Sequence, residues 1–113
     1  MPKPSPTTIS LIESSAVFGQ QVSFKVEPSN KVKNRAKLWV ANKAVQNGVI
    51  VSAEYLPIEW PSPDSEFGIA GPFTLGPTPG WLSGAADCVA YVWEFPASES
   101  ALRGAIFMYT VGA

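Results

Sequence analysis

Histidine is missing from all 113 residues, which takes away the commonest general base and the commonest metal ligand in one stroke. Serine-histidine and cysteine-histidine mechanisms are excluded with it. Cysteine occurs once, at Cys88, so the chain cannot close an internal disulfide and is not a disulfide scaffold. Charge is scarce as well: 8 Lys and Arg against 9 Asp and Glu give a formal net charge of -1. That balance provides no electrostatic footprint for a phosphate backbone, and no nucleic-acid partner is expected. No apolar run approaches membrane-span length, and the first ten residues, MPKPSPTTIS, lack the apolar centre of a signal peptide. No membrane partner is expected, and synthesis in the cytoplasm is.

What is plentiful points to β-structure. Eleven prolines and nine glycines separate runs rich in Val, Ile, Phe, Tyr and Trp, the pattern of short strands between turns. The length suits one domain with one core. The organising stretch is residues 72–95, PFTLGPTPGWLSGAADCVAYVWEF. Phe73 and Leu75 alternate with Thr74 as a half-buried strand does, and Pro77, Pro79 and Gly80 then force a turn. Beyond it, Ala86, Cys88, Ala90 and Val92 share one face and Val89, Tyr91, Trp93 and Phe95 the other. With both faces apolar, this is a mid-sheet strand. The small face is expected to point inward, where large residues of a second sheet approach closely, leaving the aromatic face for a partner. Alternation alone also admits the reverse.

The rest of the chain is expected to pack around this unit. Pro2, Pro4 and Pro6 alternate in residues 1–7, which read as an extended proline-rich arm, a loose tail or a contact with a neighbour, ahead of a domain spanning 8–113. A first strand is expected over 8–12. Residues 21–27, QVSFKVE, alternate most cleanly, with Val22, Phe24 and Val26 toward the core. A basic loop over 31–35 is either solvated or a contact for an anionic partner. Residues 37–43 form the next central strand, and Asn47-Gly48 predicts a type I′ hairpin returning through 49–55. Residues 56–71 read as a long loop with a short edge segment near Phe67. A turn over 96–100 leads to a last strand over 102–111.

No chemistry condenses from these residues. Cys88 lies in an apolar strand and reads as a small buried hydrophobe. The acids Glu54, Glu59, Asp64, Glu66, Asp87 and Glu94 show no spacing that pairs two of them for glycoside hydrolysis, and Asp64 with Glu66 lack the oxygen density of a calcium loop. The glycines sit among prolines with no helix to receive a phosphate. No enzyme activity, metal or cofactor is expected. Trp60 reads as either an exposed stacking platform or a packed residue, and Trp81 as a corner plug.

With the strands placed, the order of elements over roughly residues 7–112 resembles an immunoglobulin-like β-sandwich, an all-β fold of about seven to eight antiparallel strands. Phe24 stands where the second strand's cysteine would be, Trp39 resembles the core tryptophan of the third strand, and Cys88 falls at the sixth strand's cysteine. Ala86 occupies the position of the corner tyrosine. The Gln46-Asn47-Gly48 turn and the run FTLGPTPGWLSGAADCVAYV look like the small immunoglobulin-like head decoration or minor capsid proteins of tailed bacteriophages. That resemblance implies a non-enzymatic virion protein on the capsid surface, bound to the major capsid protein and to neighbouring copies of itself as a homo-oligomer on the shell. The expected contact residues are Pro2, Pro4, Pro6, Thr7, Tyr55, Trp60, Phe67, Tyr91 and Trp93. The competing reading is a free adhesion or carbohydrate-binding module, with Trp60, Tyr55 and Trp81 as its platform.

Overall fold

The structure, a computed structural model, describes residues 7–28, 37–62, 64–94 and 105–113. Seven strands are described: β1 (Thr8–Leu11), β2 (Gln21–Glu27), β3 (Leu38–Gln46), β4 (Val49–Pro57), β5 (Gly68–Thr74), β6 (Ala86–Glu94) and β7 (Ile106–Val111). They form a three-stranded sheet in the order β1-β2-β5 and a four-stranded sheet in the order β4-β3-β6-β7. Every neighbouring pair is antiparallel. The result is an immunoglobulin-like β-sandwich in which β4 lies beside β3 rather than beside β5.

Alternation decides the core. On β2, Val22, Phe24 and Val26 are fully buried, and on β6 the small residues Ala86, Cys88, Ala90 and Val92 face inward. The small face makes room for the opposite sheet. Phe24 reaches across to Phe107 and Tyr109, at 6.4 and 5.8 Å between ring centroids, and these pair in register with Ala90 and Cys88. Phe73 meets Phe24 edge-on at 5.5 Å. Such a crossing of large on small buries aromatic area in native-like packing, and truncating a ring of this kind costs roughly 3–5 kcal/mol. One polar pair lies within it: the Tyr109 hydroxyl donates to Oδ1 of buried Asn42 at 2.6 Å.

Turn chemistry shapes the ends. Asn47 and Gly48 take φ of 52° and 77°, the positive pair of a type I′ turn, so β3 and β4 pair from Gln46 with Val49 out to Trp39 with Pro57. Trp81 plugs the 75–85 corner: it is 1% exposed, its indole N–H donates to the Gly84 carbonyl at 3.0 Å, and Phe18 meets it edge-on at 5.5 Å. The chain between β1 and β2 crosses from one sheet to the other. Val17 pairs in parallel with Gly112, Phe18 N–H donates to the Gly112 carbonyl at 2.8 Å, and Gly112 N–H donates to the Ala16 carbonyl at 2.9 Å.

Several expectations shift. Residues 56–71 are not one long loop: β4 runs through Pro57, and β5 begins at Gly68 and carries Pro72 inside it. Pro72 is tolerated because β5 is an edge strand, met on its outer side only by a single bridge from Glu59 to Ile69, with its register against β2 slipping between Val22 and Phe24, and an edge strand with an irregularity can spare an N–H. On the other side of β2, where β1 ends, the Ser23 carbonyl accepts the Ile12 N–H at 3.0 Å and the Glu13 carboxylate accepts the Ser23 N–H at 2.7 Å. Trp39 is not the core tryptophan of its strand, because Leu38, Val40, Asn42 and Ala44 take the inward positions and leave Trp39 on the outer face. The last strand is described from Ile106, and its odd-numbered residues face inward. Pro2, Pro4 and Pro6, the basic loop over 31–35 and the turn over 96–100 lie outside the described residues.

Candidate functional site on the outer face of the four-stranded sheet

The outward residues of β3 are Trp39, Ala41 and Lys43, set by the inward Leu38, Val40, Asn42 and Ala44. Strand register then chooses their neighbours. Trp39 lies between Pro57 and Trp93, Ala41 between Tyr55 and Tyr91, and Lys43 between Ala53 and Val89. Cross-strand neighbours on one face stand close enough for aromatic side chains to touch. Trp39 and Trp93 do so with ring centroids 6.4 Å apart and planes at 44°, and Tyr55 meets Trp93 edge-on at 6.0 Å and 84°. Ala41, the one small residue in the middle, is fully buried although it points away from the core. Four rings from three strands have closed over it.

Lys43 completes the cluster. Its ammonium stands 5.3 Å from the Tyr91 ring centroid and 5.8 Å from that of Tyr55, within cation–π range of both. A hydrogen bond with the Tyr91 side chain raises the lysine's pKa above its ordinary value, against a lesser opposing effect of burial. The cation therefore stays charged at neutral pH and is held over two phenols. The ensemble is amphipathic, fixed by packing on rigid strands, and built of the residue types that anchor protein interfaces.

Of the residues expected to make contacts, Tyr55, Tyr91 and Trp93 are brought together here. Trp93 is only 7% exposed, buried by its aromatic neighbours, so it supports the face while Tyr55 and Tyr91 present it. Thr7 is buried at 3% exposure and is no surface contact. Phe67 is half-buried with the Lys25 ammonium 4.7 Å from its ring, against the other sheet. Trp60 is half-buried too, packed against the core over Gly68, where an added Cβ would lie 2.6 Å from the indole. With Trp81 in the core, the platform of Trp60, Tyr55 and Trp81 is not assembled.

Neither Trp39, expected in the core, nor Lys43 is among the contact residues expected from the sequence, yet a signal exists: Trp39, Ala41 and Lys43 alternate along β3 as Val89, Tyr91 and Trp93 do along β6. Only the pairing of the two strands turns those alternations into one surface.

The remaining chemistry is quiet. Burial pushes the Cys88 thiol up to about 11, against a lowering hydrogen bond from Tyr109, so it is no nucleophile at neutral pH. Among the described residues no group of three or more His, Cys, Asp or Glu side chains converges on a metal position, and no helix is long and apolar enough to cross a membrane. An open groove of about 560 Å³ runs between β4 and residues 77–80, lined by Val51, Glu54, Thr74 and Thr78. Its one acid is engaged, since Glu54 Oε1 accepts the Thr74 N–H at 3.0 Å. Comparison with known proteins finds no matching family model, no matching curated protein and no matching solved structure.

Proposed function

We propose that this protein is a non-enzymatic binding module with a structural role, and that it docks onto a protein surface through the outer face of the four-stranded sheet. The observation that carries the reading is the cluster of Trp39, Tyr55, Tyr91 and Trp93 around Lys43. Aromatic anchors gathered at the centre of a rigid face, with a cation among them, match the make-up of interface hot spots. The mutual tilts of 44° and 84° favour a protein over a sugar, because stacking on pyranose rings asks for a flatter platform. The assembly proposed is the one that the sequence resemblance implies: a bacteriophage capsid, with the major capsid protein lattice as partner and shell stabilisation as the effect.

Co-sedimentation of the purified protein with empty phage shells tests this reading. Saturable binding is expected for the native chain, and a loss of at least tenfold in affinity for a Tyr55→Ser, Tyr91→Ser double variant, in line with the removal of two hot-spot rings. Circular dichroism of the variant should stay native, since both side chains stand on the outer face. No binding by the native protein, with binding instead to immobilised glycans, would move the adhesion reading ahead.

A further inference from the structure

Sheet edges are where folded proteins guard against unwanted pairing, and three of the four outer strands here are guarded. On β5, Pro72 removes a donor, Glu59 exchanges backbone hydrogen bonds with Ile69 at 2.8 and 2.9 Å, and the Glu54 carboxylate takes the Thr74 N–H. On β4, the Val51 carbonyl accepts from the Thr78 hydroxyl at 3.3 Å and Pro57 ends the strand. β1 is only four residues long. β7 differs from all of these. Its sequence, IFMYTV, has no charge, proline or glycine, and its pairing with β6 runs without a register slip.

The direction of the free groups on β7 follows from the ladder. Val92 N–H donates to the Ala105 carbonyl at 3.0 Å, so with Ala90 opposite Phe107 and Cys88 opposite Tyr109 the odd-numbered residues of β7 turn their backbone groups toward β6. Those of Ile106, Met108 and Thr110 point the other way. Gly112, next in that series, is already taken by Ala16 and Phe18. Among the described residues nothing pairs with the other three. Ile106 and Met108 also carry two of the exposed large apolar side chains, at 55% and 78%.

We propose that this edge is a docking site for a second copy of the chain, joined antiparallel through β7 about a two-fold axis at Met108. The register is dictated by the groups themselves. Opposing Met108 to Met108 and Ile106 to Thr110 engages all three open residues of each copy, and the Ala16–Phe18 crossover at Gly112 bars a slide in one direction. An isologous contact brings each residue near its own kind or its symmetry mate, and an uncharged strand meets itself without like-charge repulsion. The two four-stranded sheets merge into one of eight strands, with Ile106 and Met108 covered along the seam. The inference goes beyond the proposed docking on a shell and holds for the free protein.

Sedimentation velocity over a concentration series, with two cysteine variants, tests it. The native protein should show a reversible monomer–dimer equilibrium, and Met108→Lys, which changes an exposed side chain and places two ammonium groups on the axis, should shift the midpoint at least tenfold toward monomer. Under mild oxidation Met108→Cys should cross-link, because directly opposed residues of a hydrogen-bonded pair stand about 5.5 Å apart at Cα, inside the disulfide range. Thr110→Cys should not, since its mate lies about 13 Å further along the strand. Cys88, 3% exposed, gives little background. A native protein monomeric throughout, a dimer indifferent to Met108→Lys, or equal cross-linking at both positions overturns the proposal.

Discussion

Tyr109→Phe is the sharpest probe of the core, because it removes one hydroxyl and almost no volume. That hydroxyl donates to Asn42 Oδ1 at 2.6 Å, and Asn42 is 5% exposed on the inward face of β3. Once the donor is gone, the amide oxygen is left in an apolar interior bounded by Phe24 and Phe107. Stranding a buried acceptor costs about 1–3 kcal/mol. For a domain of this size each kcal/mol moves Tm by about 4 °C, so a drop of about 4–12 °C is expected. Urea unfolding followed by tryptophan fluorescence reads the same loss as a lower midpoint at unchanged slope. A cycle with Asn42→Leu separates the hydrogen bond from packing. The double variant should be less destabilised than the two single losses added, with a coupling above about 1 kcal/mol, because it leaves no polar atom stranded. A Tyr109→Phe protein within about 0.5 kcal/mol of the native, or strictly additive losses, would refute the reasoning and mean that solvent reaches Asn42 past the half-buried edge of Tyr109.

Two further outcomes follow from single sites. Gly80→Ala should lower Tm clearly, because a Cβ there would sit 2.5 Å from the Val51 carbonyl oxygen, a backbone atom that cannot swing aside; differential scanning calorimetry beside Gly19→Ala, whose added Cβ meets nothing within 4 Å though its φ is +90°, separates steric clash from backbone strain. Alkaline pH should destabilise the fold through Cys88: burial lifts its pKa from 9.0 to about 11, so between these values the folded state keeps a proton that the unfolded chain releases. Stability therefore falls as pH rises through that window, by at most about 3 kcal/mol. Urea midpoints at pH 8, 9.5 and 11 should fall less steeply for Cys88→Ala, and a slope unchanged by that substitution would place the alkaline loss elsewhere. Tyr109, also raised by burial, adds a loss of the same sign at higher pH.

How much of the fold could be read from the chain depended on whether a local rule and the burial of a face agreed. On β2 they did, and Val22, Phe24 and Val26 are all fully buried. At Asn47-Gly48 the turn type follows from the two residues that best accept positive φ, and both have it. On β6 both faces are apolar, and side-chain size decided between them: Ala86, Cys88 and Ala90 face in because Phe24 and Phe73 of the other sheet need the room. β5 was only partly legible. Its Gly71 and Pro72 are turn formers by composition, and they stay in a strand because β2 supplies a partner along one side while the other side has no ladder to complete. Local preference gave way to a tertiary edge.

The candidate site was less legible for a related reason: it belongs to no single segment. Trp39, Tyr55 and Trp93 are 16 and 38 residues apart in order along the chain, and nothing in their own neighbourhoods says that they touch. Strand order joins them, because placing β3 between β4 and β6 turns three separate alternations into cross-strand rows. The same step explains why resemblance misplaced Trp39. A tryptophan on the third strand of a sandwich is expected inside, but here the core already holds the buried rings of Phe24, Phe73 and Trp81, and β3 contributes the smaller Val40 and Ala44 to it. A large ring displaced from the core must bury its area elsewhere. It does so against Trp93, over Ala41, and that second, outward cluster is what makes the outer face of the four-stranded sheet aromatic.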